Sequence, residues 1–193
     1  TIAGLIIRWM RSNMNQSADQ RVRRLQQSSA RGLLTGSRYG LEKESLRVTP
    51  SGHIAQTAHP VGLGSALCPP EITTDYSEAL LEFVTPAFVR ADAAIERLFD
   101  LHRYTYRQIG DELLWATSMP CIVGGDRSIP IAEYGHSNVG MMKHVYRHGL
   151  DWRYGRSMQA IAGIHFNYSF SEPFLRAVQA QEGDNRSFES FRS

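Results

Sequence analysis

Three stretches of this chain alternate with a period of two, and each places acids, histidine or amide on a strand that also carries apolar anchors. In GLEKESLRV (40–48), Glu42, Glu44, Leu46 and Val48 point one way, while Leu41, Lys43, Ser45 and Arg47 point the other. In ITTDYSEALLEFVTP (72–86), Leu80, Glu82 and Val84 share a strand face, with Asp75 just ahead of it. In SMQAIAGIHFNYSF (157–170), Met158, Ala160, Ala162, Ile164, Phe166 and Tyr168 form one face. Gln159, Ile161, Gly163, His165, Asn167 and Ser169 form the other. Such alternation belongs to strands with two unlike faces, as in a half-exposed antiparallel sheet.

Helical and turn signals fill the gaps. Residues 20–38 read as a short helix ending at Gly36 or in the RYG turn, and SGHIAQ (51–56) reads as the hairpin partner of 40–48 across TPSG. A long helix is expected over 90–114, with Ile95, Leu98, Phe99, His102, Ile109 and Leu113 as its inner stripe. A second runs from about residue 138 to 150. The Gly- and Pro-rich loop 60–70 contains GLGSAL, which lacks the lysine and spacing of a phosphate loop.

The composition, 42% hydrophobic and 21% charged over 193 residues, supports one domain with a real core. No run approaches the roughly 18 apolar residues of a membrane span. IAGLII is short and its arginines follow it, which argues against a signal peptide. Two cysteines, Cys68 and Cys121, are too few for a disulfide framework and fit a reducing, cytoplasmic setting. Charge is unevenly distributed. Residues 1–39 hold seven arginines against Asp19, a local +6, while the whole chain carries +2. A basic arm suits nucleic acid, an anionic membrane or a transit peptide, and a poorly ordered end is the plainer reading. Residues 1–30 are therefore read as an extension and 31–193 as the working part. Thr1 at the start and an uncapped final segment suggest a fragment.

The chemistry gathers on the strands. Glu42, Glu44, Glu82 and Asp75 converging on one sheet face would repel one another and raise their pKa values unless cations neutralise them. Oxygen ligands of this kind suit magnesium, which commonly accompanies substrate phosphates. Surface salt bridging on a half-exposed sheet is the competing reading. His144 and His148, spaced i, i+4 with His136 nearby, have a zinc-compatible spacing, although a solvated helix face explains them as well. Asp111 and Glu112 read as polar residues at a helix boundary, and Cys121 as a core or loop thiol. Tyr146 and Arg147 share a helix with Leu150 and could hold a substrate carboxylate, with helix packing as the alternative.

Taken in order, GLEKESLRV (40–48), GLGSAL (62–67), ITTDYSEALLEFVTP (72–86), DLHRYTYRQIGDE (100–112), SMPC (118–121), GHSNVG (135–140), YRHGLDWRYG (146–155) and AIAGIHFNYS (160–169) resemble the proteobacterial glutamate–cysteine ligase family. The resemblance covers roughly residues 31 to 171. It implies an α+β, glutamine-synthetase-like fold: a mainly antiparallel sheet with helices on one face, incomplete at the C-terminus. It also implies an ATP-dependent carbon–nitrogen ligase of glutathione biosynthesis that joins the γ-carboxylate of L-glutamate to L-cysteine through γ-glutamyl phosphate. Magnesium, with manganese as the alternative, is the implied cofactor, and ATP the co-substrate.

By motif match, Glu42, Glu44, Asp75, Glu82 and His165 fall at metal positions. Glu42, Glu44 and Arg147 fall at catalytic ones, and Tyr76, Tyr146, Arg147, Leu150 and Gln159 around the cysteine. A cytoplasmic monomer engaging neither nucleic acid nor membrane is expected, with the fragment inactive by itself. Two alternatives stand beside this: a binding-only module using the basic arm for nucleic acid or anionic lipid, and a related carboxylate–amine ligase with another acceptor.

Overall fold

The structure, a computed structural model, describes residues 18–192. Its sheet has five strands centred on β1 (Arg38–Val48). β3 (Leu80–Val84) pairs antiparallel along one flank, setting Glu42 opposite Val84, Glu44 opposite Glu82 and Leu46 opposite Leu80. β2 (Ile72–Thr74) adds antiparallel beyond β3. On the other flank, β4 (Leu113–Leu114) covers Arg47 and Val48, and β5 (Ile164–Ser169) covers the earlier half of β1. Contacts of Glu44 with Gly163, Glu42 with His165 and Gly40 with Asn167 give β5 an antiparallel run.

The alternation predicted for β1 and β3 is observed. Leu46, Val48 and Leu80 bury on one side with Tyr76, Ile129, Ala160 and Ala162. Leu81, Phe83 and Ile72 bury on the other beneath α2 (Ala91–Tyr106), where Leu98 and Leu101 pack and His102 stacks on Phe83 at 4.4 Å. Each fully buried side chain of this size contributes about 1.5–3 kcal/mol. The carboxylates of β1 and β3 thus continue a face whose far end is core.

Several expectations change. α2 stops at Tyr106, and its inner stripe is Ala94, Leu98, Leu101, His102 and Thr105. Ile95 and Phe99 are 47% and 59% exposed, because Leu98 and Leu101 are the helix positions turned onto Leu81 and Phe83. The 51–56 hairpin shrinks to a single bridge between Val48 and Ile54. The second helix, α3 (Asn138–Tyr154), runs one turn further than expected, starting at a Ser137 cap whose Oγ accepts from Gly140 N at 3.1 Å. The third alternating stretch splits into a 3₁₀ turn, Ser157–Ala160, and β5. Ala160 and Ala162 enter the core, whereas Ile164 and Phe166 are exposed and Tyr168 meets the Tyr39 ring at 5.3 Å.

Glu112 is more than a boundary residue. Arg47, 1% exposed, donates to Glu112 Oε2 at 2.7 Å, to Thr57 Oγ1 at 2.6 Å, and to the carbonyls of Thr57, Ala58 and Glu78. One strand residue thereby ties three loops. Cys121 is buried, as expected of a core thiol, and burial pushes its pKa up; Cys68 is exposed.

The chain divides into two compact units, one spanning Tyr39–Tyr168 and the other formed by the chain up to Arg38 and from Ser169 onward. The second contains α1 (Ala18–Gln27), a 3₁₀ stretch Ser29–Gly36, α4 (Glu172–Glu182) and α5 (Phe188–Arg192). Arg24 bonds Glu182 at 3.0 Å, and Ser171 Oγ donates to Leu33 O at 3.0 Å. Residues 18–27 form α1 and belong to this unit, which extends to Arg38. The expected helix over 20–38 becomes α1 followed by the 3₁₀ stretch. The arm preceding Ala18 lies outside the described residues. Among the described residues, no helix is long and apolar enough to cross a membrane.

Candidate active site

Glu42, Glu44 and Glu82 project from one sheet face because β1 and β3 pair in register and residues 42, 44 and 82 share a phase. Asp75 follows β2 directly, its N–H donating to Leu80 O at 3.0 Å, which brings it to the same end. β5 supplies the opposite wall. Glu44 and Gly163 exchange two bonds: Glu44 N donates to Gly163 O at 3.0 Å, and Gly163 N donates to Glu44 Oε2 at 2.6 Å. A Cβ at residue 163 would lie 2.9 Å from His165 Nε2 and 3.4 Å from Glu44 Oε2, so glycine permits this approach.

Each carboxylate has its own surroundings. Glu42 holds His165 Nδ1 at 2.9 Å and accepts from Asn167 Nδ2 at 2.7 Å. These bonds hold its carboxyl below the usual carboxylate range, and the same contact raises His165 above its ordinary value. Glu82 behaves in the opposite way. It is half-buried, and its carboxylate finds no hydrogen-bond donor among the described residues. Burial, then the charges of Asp75, Glu44 and Glu42, push its pKa up. The site thus holds a surplus of negative charge.

No three His, Cys, Asp or Glu side chains among the described residues close on one point as metal ligands. The five positions matched by resemblance share a face and an electrostatic field without forming a closed cage. The reason is local: Glu42 is turned toward His165 and Asn167, and Glu44 toward Gly163.

The residues expected around cysteine differ in burial and in partners. Arg147 is buried and already committed: Nε donates to Asp75 O at 2.6 Å, Nη1 to Lys143 O at 3.1 Å, and Nη2 lies 3.6 Å from Asp75 Oδ1. Its guanidinium also stacks on Tyr134, whose hydroxyl donates toward Thr74 O and Asp75 O. Tyr146, one residue earlier and about 100° around the helix, is 63% exposed. Tyr76 lies in the core beside β1, and Leu150 packs against the same cluster. The Tyr76 hydroxyl is buried without a hydrogen-bond partner, and burial pushes its pKa up to about 12. Gln159 is half-buried in the 3₁₀ turn.

Sequence reasoning missed one supporting network. Asp126 accepts from Arg156 N at 2.9 Å and Ser157 N at 2.8 Å, and Arg156 Nε donates to Asp151 Oδ2 at 3.1 Å. Together they fasten the turn that carries Gln159. Only the acid at Asp126, directly after two glycines, hinted at such a turn.

The family model described as glutamate-cysteine ligase matches residues 22–193. A glutamate–cysteine ligase of Alcanivorax borkumensis is 55% identical over 175 residues, which cover 91% of this chain and 33% of that protein. One from Pseudomonas putida is 54% identical over 161 residues, covering 82% of this chain and 31% of that one. Among solved structures, a Francisella tularensis glutamate–cysteine ligase in complex with AMP aligns with a TM-score of 0.75 at 41% identity, covering 79% of this chain and 30% of that one. A bifunctional glutathione synthetase from Pasteurella multocida aligns with a TM-score of 0.74 at 30% identity, covering 84% of this chain and 21% of that one. The chain spans about a third of the length of the curated relatives it matches.

Proposed function

This chain belongs to the glutamate–cysteine ligase family, and from that premise we propose that the protein containing it joins L-glutamate to L-cysteine using ATP. A γ-carboxylate oxygen of glutamate attacks the terminal phosphorus of ATP and ADP leaves. The cysteine amine then attacks the γ-carbonyl carbon, phosphate leaves, and the amine gives up a proton as the amide forms. The nucleotide in this reading is supported by the AMP named with the Francisella relative. We place the protein in the cytoplasm as a monomer.

The observation that carries the reading is Glu82: a half-buried carboxylate without a donor, its pKa raised by burial and three neighbouring acids. Such a group fits a site completed by cations. Magnesium, with manganese as the alternative, is held by one or two carboxylates together with substrate phosphates, and here the facing pair Glu82 and Glu44 would hold it, with Asp75 adding its charge nearby. When bound, it supplies positive charge against the phosphates. His165 and Asn167 fix the Glu42 carboxylate at the rim, and Arg147 acts through Asp75 by holding its backbone and side chain. The orphan Tyr76 hydroxyl offers a donor for an incoming polar group.

The test is phosphate release by the intact protein with glutamate, cysteine and ATP, titrated with magnesium. Glu82→Gln should lower turnover and move the magnesium dependence to higher concentration. Glu96→Gln, on the exposed side of α2, should track the wild type. Superimposable curves for all three proteins would remove Glu82 from the catalytic reading.

A further inference from the structure

The two histidines of α3 are placed more specifically than their spacing required. His144 and His148 bring their Nε2 atoms to 3.0 Å, with ring planes inclined at 70° and ring centres 4.5 Å apart. His144 Nδ1 lies 3.1 Å from the carbonyl of Ala132. A carbonyl only accepts, so that nitrogen carries the proton and Nε2 of neutral His144 presents a lone pair. A backbone carbonyl fixing the far nitrogen is the usual support of a metal-binding imidazole.

The hydrogen bond between the two rings departs from in-line geometry. An in-line N–H···N contact at this distance would hold the ring centres about 5.3 Å apart, since hydrogen bonding favours straight geometry. The observed 4.5 Å requires at least one ring to tilt out of line. A divalent cation about 2.05 Å from each Nε2 subtends roughly 94° across the 3.0 Å gap and would set the ring centres about 4.7 Å apart. That angle suits the cis positions of a square-planar or octahedral ion more closely than the wider tetrahedral angle.

We propose that His144 and His148 form a two-point chelate for a borderline-soft divalent transition cation, Cu²⁺ or Ni²⁺ ahead of Zn²⁺, separate from the carboxylate face of the sheet. On binding, the His148 proton moves from Nε2 to Nδ1, so both Nε2 atoms present a lone pair to the ion. No third His, Cys, Asp or Glu among the described residues completes the set. Water fills the remaining positions from the adjoining cleft of about 260 Å³, lined in part by Tyr134, His136 and Met141. The ion clips one turn of α3 and reinforces the chain of bonds that runs from His144 through Ala132 to Tyr76, whose carbonyl accepts from Ala132 N at 3.0 Å.

The probe is Ni²⁺ alone, titrated calorimetrically into the intact protein with magnesium in excess to occupy hard oxygen sites. Wild type should bind one Ni²⁺ that His144→Gln or His148→Gln weakens at least about tenfold, the lower end of what losing even an outer-shell partner costs. His136→Gln should bind as wild type does. Ni²⁺ should raise the thermal midpoint of wild type and of His136→Gln but not of the other two. His148→Gln keeps the Ala132 bond and carries the test if His144→Gln folds poorly. Unchanged Ni²⁺ affinity in His148→Gln, loss of binding in His136→Gln alone, or no Ni²⁺ bound by wild type would each overturn the chelate.

Discussion

Glu44 and Glu82 stand directly opposite one another on paired antiparallel strands, and the charge of Glu44 is among those that push the pKa of Glu82 up. Like charges so placed destabilise a sheet. Glu82→Gln should therefore raise the stability of metal-free protein, by about 0.2–1 kcal/mol on the scale of cross-strand pairs. It should also reduce the stabilisation that magnesium gives. Urea unfolding with and without magnesium reads both. A less stable metal-free variant would make Glu82 a structural residue.

The Glu42–His165 bond predicts a titration. His165 is raised from 6.5 chiefly by its hydrogen bond to Glu42, so the stability it contributes is fully present below pH 6.5 and lost as pH rises through its folded value. Glu42 is lowered from 4.5, so its contribution is present above pH 4.5 and lost as pH falls through its own folded value. The window of joint stabilisation lies between. NMR titration of His165 in metal-free buffer should give a pKa above 6.5 that drops toward 6.5 in Glu42→Gln. An unmoved pKa would mean that the pair is not coupled.

Arg47 and Glu112 form the buried ion pair of the loop clamp. Removing one partner leaves the other charge buried, so Glu112→Gln should destabilise by about 3 kcal/mol or more. Arg47→Met keeps length while removing the charge, and should cost less when made together with Glu112→Gln than when made alone. Denaturant midpoints of the four proteins form the cycle. Additive effects would show that the two charges are independent.

Two glycines of α3 should respond oppositely to alanine. A Cβ on Gly140 would sit 2.5 Å from Tyr134 O and 2.8 Å from Gly135 O, a clash with backbone that cannot step aside. Gly149 has no atom within 4 Å of its would-be Cβ. Gly149→Ala should stabilise by up to about 1 kcal/mol through helix propensity alone, while Gly140→Ala should lower the thermal midpoint. The same sign of effect in both would count against this account of the helix start.

Local pattern determined a good deal here. The phase of Glu42, Glu44, Leu46 and Val48, and of Leu80, Glu82 and Val84, followed from period-two spacing, and the motifs carrying that phase were enough to name the family. Period could not say which apolar side chains would find cover. Ile95 and Phe99 fit a helical stripe as well as Ala94 and Thr105 do, yet the sheet beneath α2 admits the smaller pair. Ile164 and Phe166 continue the phase of Ala160 and Ala162, but only the alanines meet the core. Spacing placed His144 and His148 one turn apart; the carbonyl of Ala132, twelve residues away, set how they face. The pairing of Arg47 with Glu112 and the solitude of Glu82 also depend on residues distant in sequence. Spacing fixes which side of a strand or helix a residue occupies, because backbone geometry repeats. Burial, charge and bonding partners are set by whatever the fold brings opposite, and that is decided only when the chain closes on itself.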